Sequence, residues 1–169
     1  MIIILLVLFV FSLFIEGSFL FPLLPSAVIP DFLLISTVCI AFLWDEKKGA
    51  LLGFAVGLIQ DILFSPAIGY FALTKMLIGY LAGLMGKAIY REQIIAPVFL
   101  TFMFTFFHEG ALYFLVERFI GVGFSLRWIV RLLFIPKAFI HLVFALLLYP
   151  LFYRAEQKKI ASGSHHISS

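Results

Sequence analysis

Charge is scarce in this chain. Of 169 residues, 12 are Lys or Arg and 9 are Asp or Glu, while 64% are hydrophobic. Soluble domains run at about half apolar and about a quarter charged, so water cannot be the only solvent here; lipid is implied. Cysteine is nearly missing too. Cys39 stands alone in an apolar run, which excludes an intrachain disulfide and leaves no redox or thiolate-metal signal. The first fifteen residues, MIIILLVLFVFSLFI, lack a basic n-region and a small-x-small cleavage site, so they read as a retained span rather than a signal peptide. Catalytic signatures are absent as well. There is no Gly-x-Ser-x-Gly, no Cys-His constellation and no phosphate loop, and the stretch HEGAL has no second histidine at the zinc-protease spacing. No cofactor, metal or nucleic-acid partner is expected, and the function classes left are binding and scaffolding.

What the chain has is apolar length. A helix needs about 20 apolar residues to cross the hydrocarbon core. The runs divide into six: Met1 to Phe21, Asp31 to Trp44 (short for a crossing), Gly49 to Phe64, Gly69 to Ile89, Ile94 to Val116, and Arg127 to Tyr153 with Pro136 inside. A loop with Pro22, Pro25 and Pro30 joins the first two. The expected fold is an all-α integral membrane protein with six transmembrane helices in one domain, residues 1–153. A polar, flexible cytoplasmic tail, residues 154–169, follows, with His165 and His166 read as solvated. Lys47, Lys48, Lys87, Arg91, Arg154, Lys158 and Lys159 fall on one side of this layout, against Arg118 and Arg127 on the other, with Arg131 just inside the membrane. Basic residues gather in the cytoplasm, so both termini are expected there.

Two glycine stripes mirror one another in consecutive spans. One runs Gly49, Gly53, Gly57 and ends at Asp61; the other runs Lys75, Gly79, Gly83, with Tyr80 beside it. A spacing of four drifts by only about 40° per step, so each stripe holds one helix face. Small residues at such spacing let helix backbones approach closely. If the two spans form a hairpin, Asp61 and Lys75 reach similar depths near its turn. Three readings are open: an ion pair that sets the hairpin register, two charges that hydrate separately at the interface, or an Asp61 that faces a partner.

A second polar group lies in the last two spans. Intramembrane ionisable residues cost about 2.5–3.5 kcal/mol each on insertion scales, so each needs a reason. Glu109 lies roughly 12 Å below the outer end of its span and Lys137 roughly 15 Å below the outer end of the next. Their depths match, and Glu109–Lys137 is the preferred pair, with Arg131 as the competing partner. His141 follows Lys137 by four and shares its face. His108 and Glu109 are adjacent and point about 100° apart, so they cannot both serve one substrate. Pro136 removes a backbone donor beside this cluster, freeing a carbonyl for His141, Lys137 or water. A structural ion cluster and a ligand pocket both remain open.

The order of these residues resembles the MreD family of rod shape-determining proteins. The likeness begins at PDFLLISTVCIAFL and is strongest in KKGALLGFAVGLIQDILFSPAIGYFALTKMLIGYLAG. There Gly53, Phe54, Gly57, Asp61, Gly69, Ala72, Leu73, Gly79, Tyr80 and Gly83 follow the family pattern, and Pro136, Pro150 and Glu109 continue it. The resemblance implies a non-enzymatic component of the bacterial elongation machinery in the inner membrane. It also implies association with MreC and, through it, with MreB, a SEDS glycosyltransferase and a penicillin-binding transpeptidase. The implied fold is similar to the substrate-binding subunits of energy-coupling-factor transporters, which opens the alternative of a vitamin-like ligand. On this reading one glycine face is left open for a partner's helix.

Overall fold

The computed structural model describes residues 7, 10–12, 29–65, 68–120 and 126–164, and all elements among them are helical. Most of the first apolar run, the prolines Pro22 and Pro25, and His165 and His166 lie outside the described residues. Helix α1 spans Phe32–Leu43, α2 Glu46–Phe64, α3 Tyr70–Ala88 and α4 Ile95–Ile120. The last element begins as α5 (Leu126–Ile129), passes through a π-helical segment (Val130–Phe134) and continues as α6 (Ile135–Ser164). Among the described residues two stretches, Ile95–Leu115 and Leu126–Lys159, are long and apolar enough to cross a membrane.

Helix α1 is the centre. Its twelve residues carry no charge and every one is buried. A helix that is apolar all round is covered by protein or by lipid; here α2, α3, α4 and α6 all pack against it. Twelve residues rise only about 18 Å, so one end of α1 lies well short of a bilayer face. That end opens on Asp31, whose carboxylate caps the helix by accepting from the Leu34 N–H at 2.8 Å. The other end closes at Trp44, whose N–H donates to the carbonyls of Ile40 and Ala41. Two residues, Trp44 and Asp45, turn the chain from α1 into α2. Asp45 caps α2 through the Lys48 N–H at 2.9 Å, and that backbone donor holds the partly exposed Asp45 carboxyl below its ordinary value.

Helices α2 and α3 form an antiparallel hairpin of 19 residues each, about 28 Å long. The turn ends at Gly69, with φ of +114°, a left-handed conformation that suits glycine. Glycine has no side chain with which to cap α3. Asp61 does so from the preceding helix: its carboxylate accepts from the N–H groups of Gly69 (3.0 Å), Phe71 (2.9 Å) and Ala72 (2.9 Å). An anion among unsatisfied amides at a helix N-terminus also complements the helix dipole.

Basic and aromatic groups tie the opposite end of the bundle. Arg91 Nη2 donates to the Trp44 carbonyl at 2.9 Å, Lys87 pairs with Glu46, and the Tyr149 hydroxyl donates to the Arg91 carbonyl. Helix α6 runs on to Ser164, so residues 154–164, expected as tail, are helical.

Candidate functional site

The glycine stripes meet each other. A Cβ placed on Gly49 would fall on the Gly79 carbonyl, and one on Gly79 would fall on the Gly49 carbonyl. A Cβ on Gly57 would lie 2.5 Å from the Phe71 carbonyl oxygen, one on Gly83 2.6 Å from that of Asp45, and one on Gly53 against the carbonyl of Lys75. These are backbone-to-backbone approaches that any side chain would prevent. The expectation of an open glycine face is therefore corrected. Both stripes are buried inside the hairpin, and a third close approach, Gly86 against Phe42, seats α3 on α1.

The hairpin charges do not pair with each other either. Asp61 is buried in its capping role. Lys75, fully buried one turn into α3, reaches instead to Asp31, with Nζ 2.7 Å from Oδ2 and 3.0 Å from Oδ1. Gln60 on α2 accepts a further hydrogen bond from the same ammonium. Matching depth offered Asp61 as one candidate partner of Lys75. The three amides at the start of α3 claim Asp61 first, and the short α1 delivers Asp31 to the depth of Lys75.

Helices α4 and α6 complete the network. The backbone N–H of Asp31 donates to His141 Nε2 at 2.8 Å, and His141 Nδ1 lies 2.9 Å from Thr105 Oγ1. The Thr105 hydroxyl donates to the Thr101 carbonyl at 2.7 Å. These bonds fix the direction of the whole relay. Nε2 accepts, so the proton of a neutral ring sits on Nδ1, which donates to Thr105, which donates to Thr101. His108 Nε2 lies 3.7 Å from Asp31 Oδ2, and its other ring nitrogen has no hydrogen-bond partner among the described residues. Asp31 thus joins four helices: it caps α1, holds Lys75 of α3, meets His108 of α4 and is held by His141 of α6.

Glu109 and Lys137 pair at 2.5 Å, as their depths suggested. His108 and Glu109 separate as adjacent helical residues must, one turned to Asp31 and the other to α6. Arg131, the competing partner, is exposed and makes no ion pair among the described residues. His141 does not join Lys137; it turns to Asp31. Tyr80 is on the outer surface of α3, 41% exposed.

The family model of the rod shape-determining protein MreD matches residues 1–159. The chain belongs to the MreD family. It is accordingly a bacterial membrane protein with a role in rod shape determination. Comparison with curated proteins and with solved structures gave no match.

In this MreD-family chain the residues that sequence reasoning missed are Asp31, Gln60 and Thr105. A signal for Asp31 was present: Pro-Asp before an uninterrupted apolar run is a helix start. The run is too short to span, which places that start inside the membrane. Gln60 stands next to Asp61, so the two polar side chains diverge by about 100°, one toward Lys75 and the other toward the turn.

Proposed function

We propose that this MreD-family chain is a non-enzymatic scaffold of the rod elongation complex, a six-helix bundle in the cytoplasmic membrane with both termini inside. It binds the membrane helix of MreC and through it supports peptidoglycan synthesis with MreB, the SEDS glycosyltransferase and the transpeptidase. The docking face is the outward side of α3.

One observation carries the choice of face. Leu73, Leu77, Tyr80 and Leu84 form a single stripe at helical spacing and all are exposed. Tyr80 lies about 12 Å from the inner end of α3, at hydrocarbon depth, and its hydroxyl has no partner among the described residues. A hydroxyl facing lipid tails is left unsatisfied, whereas a partner helix can supply a carbonyl. The glycines support this indirectly: they lock α2 behind α3 and hold the stripe rigid. The interior supports scaffolding over ligand capture, since Asp31, Lys75, Gln60, Thr105 and His141 bond to one another and Glu109 bonds to Lys137.

Co-purification with MreC tests the face. Tyr80→Ala combined with Leu77→Trp is expected to reduce MreC recovery at least several-fold with unchanged membrane insertion. Undiminished recovery rules the α3 face out.

A further inference from the structure

Arg127 and Arg131 have no role in the network or in the proposed docking face. They stand four residues apart at the start of the last membrane-crossing element, where side chains at this spacing are neighbours. Both are exposed, and neither has an ion-pair or hydrogen-bond partner among the described residues. Glu117, the nearest acidic residue in sequence, is engaged elsewhere, and Glu109 is occupied by Lys137. Together with Trp128 and Leu132 the arginines line a groove of about 410 Å³.

The level of this groove follows from the helix itself. Tyr153 lines the cavity that also holds Tyr90 and Arg91, at the basic end of the bundle. Arg131 is 22 residues away, about 33 Å along the axis. That matches the roughly 30 Å thickness of the hydrocarbon core. The groove therefore sits at the headgroup boundary opposite the start of α2, which carries Lys47 and Lys48. Trp128, 67% exposed, is placed as interfacial tryptophans are. Two uncompensated cations here run against the gathering of basic residues at the other end. The π-helical segment begins at Val130 and includes Arg131. Pro136 lacks an N–H and crowds the carbonyl four residues before it, a local cause for a wider turn just upstream. Such insertions recur at functional positions in helices.

We propose that Arg127 and Arg131 bind the phosphate of an anionic membrane lipid, with Trp128 against the headgroup and Leu132 against the acyl chain. Guanidinium forks match phosphate oxygens in pairs, and two forks one turn apart suit a phosphodiester or a diphosphate. A lipid, rather than a soluble anion, fits a groove whose other described lining residues, Trp128 and Leu132, are apolar and whose mouth is at the bilayer boundary. The site does not rest on the MreC reading.

The full chain, reconstituted in phosphatidylcholine nanodiscs doped with phosphatidylglycerol or, separately, with a polyprenyl diphosphate, is released for native mass spectrometry and the retained lipid counted. The wild type is expected to retain at least one anionic lipid over phosphatidylcholine. R127Q/R131Q is expected to lose that preference about tenfold or more, the scale of losing charge-assisted bonds. Each single variant should fall between, and R118Q should match the wild type. The anionic lipid whose retention depends more on the arginines identifies the source of the phosphate. Equal retention of phosphatidylcholine by the wild type, or unchanged preference in folded R127Q/R131Q, overturns the proposal.

Discussion

Adding one methyl group at Gly53 is the sharpest perturbation the hairpin offers. Gly→Ala in a helix interior ordinarily stabilises by about 1 kcal/mol, because alanine loses less backbone freedom. At Gly53 the new Cβ would fall against the Lys75 carbonyl oxygen, 2.6 Å from its carbon and 3.0 Å from the Met76 nitrogen. All three are backbone atoms of α3, so no rotamer change relieves the clash and the helices must part. Overpacking of this kind costs about 1–3 kcal/mol. Here the displaced residue is Lys75 itself, whose ammonium sits 2.7 Å from Asp31. Weakening that buried pair adds toward the roughly 3–5 kcal/mol that its complete loss costs. Gly53→Ala should therefore destabilise by about 1–3 kcal/mol net of the helix gain, read as a lowered unfolding midpoint of the detergent-purified protein. Gly110→Ala is the control. Its Cβ would meet nothing within 4 Å, so the helix gain should appear alone. A Gly53→Ala protein as stable as, or more stable than, the wild type refutes the close approach of α2 and α3.

Two further outcomes follow from the network. Asp31→Asn keeps a helix cap but strands the Lys75 ammonium, and should cost about 3–5 kcal/mol; adding Lys75→Met should recover at least half of that loss, measured as a double-mutant cycle of unfolding free energies. Asp61→Ala removes the acceptor for three amides at the start of α3 and should cost toward the upper end of about 0.5–2 kcal/mol, with the faster hydrogen exchange confined to Gly69, Phe71 and Ala72.

Much of this architecture is legible in the sequence. The Glu109–Lys137 pair followed from depth arithmetic, because both residues sit on long helices that run boundary to boundary. The glycine stripes were legible as close-packing faces, but spacing names a face and not its neighbour. Whether Gly53 meets a helix of its own chain or of a partner depends on how the turn at Gly69 aims α3, and that is a tertiary fact. Lys75 shows the same limit. Asp61 and Asp31 both reach its depth, and the choice was made by the uncapped amides at the start of α3, which a list of charges does not display. Asp31 itself stood at the mouth of its span, where a carboxylate reads as interfacial. Only the short length of α1, about 18 Å, reveals that its capping residue is submerged. The helical continuation from Arg154 to Ser164 was masked by polar composition, which spacing cannot distinguish from a solvated tail.

The central claim is that the interior is committed to the fold and that the outward face of α3 meets MreC. A photo-crosslinking amino acid placed at Tyr80 or Leu77, with Phe139 on the outward side of α6 as the comparison position, tests this in living cells. All three are exposed. The account predicts an MreC adduct from positions 80 and 77 and little from 139. An adduct from 139 with none from 80 or 77 contradicts it.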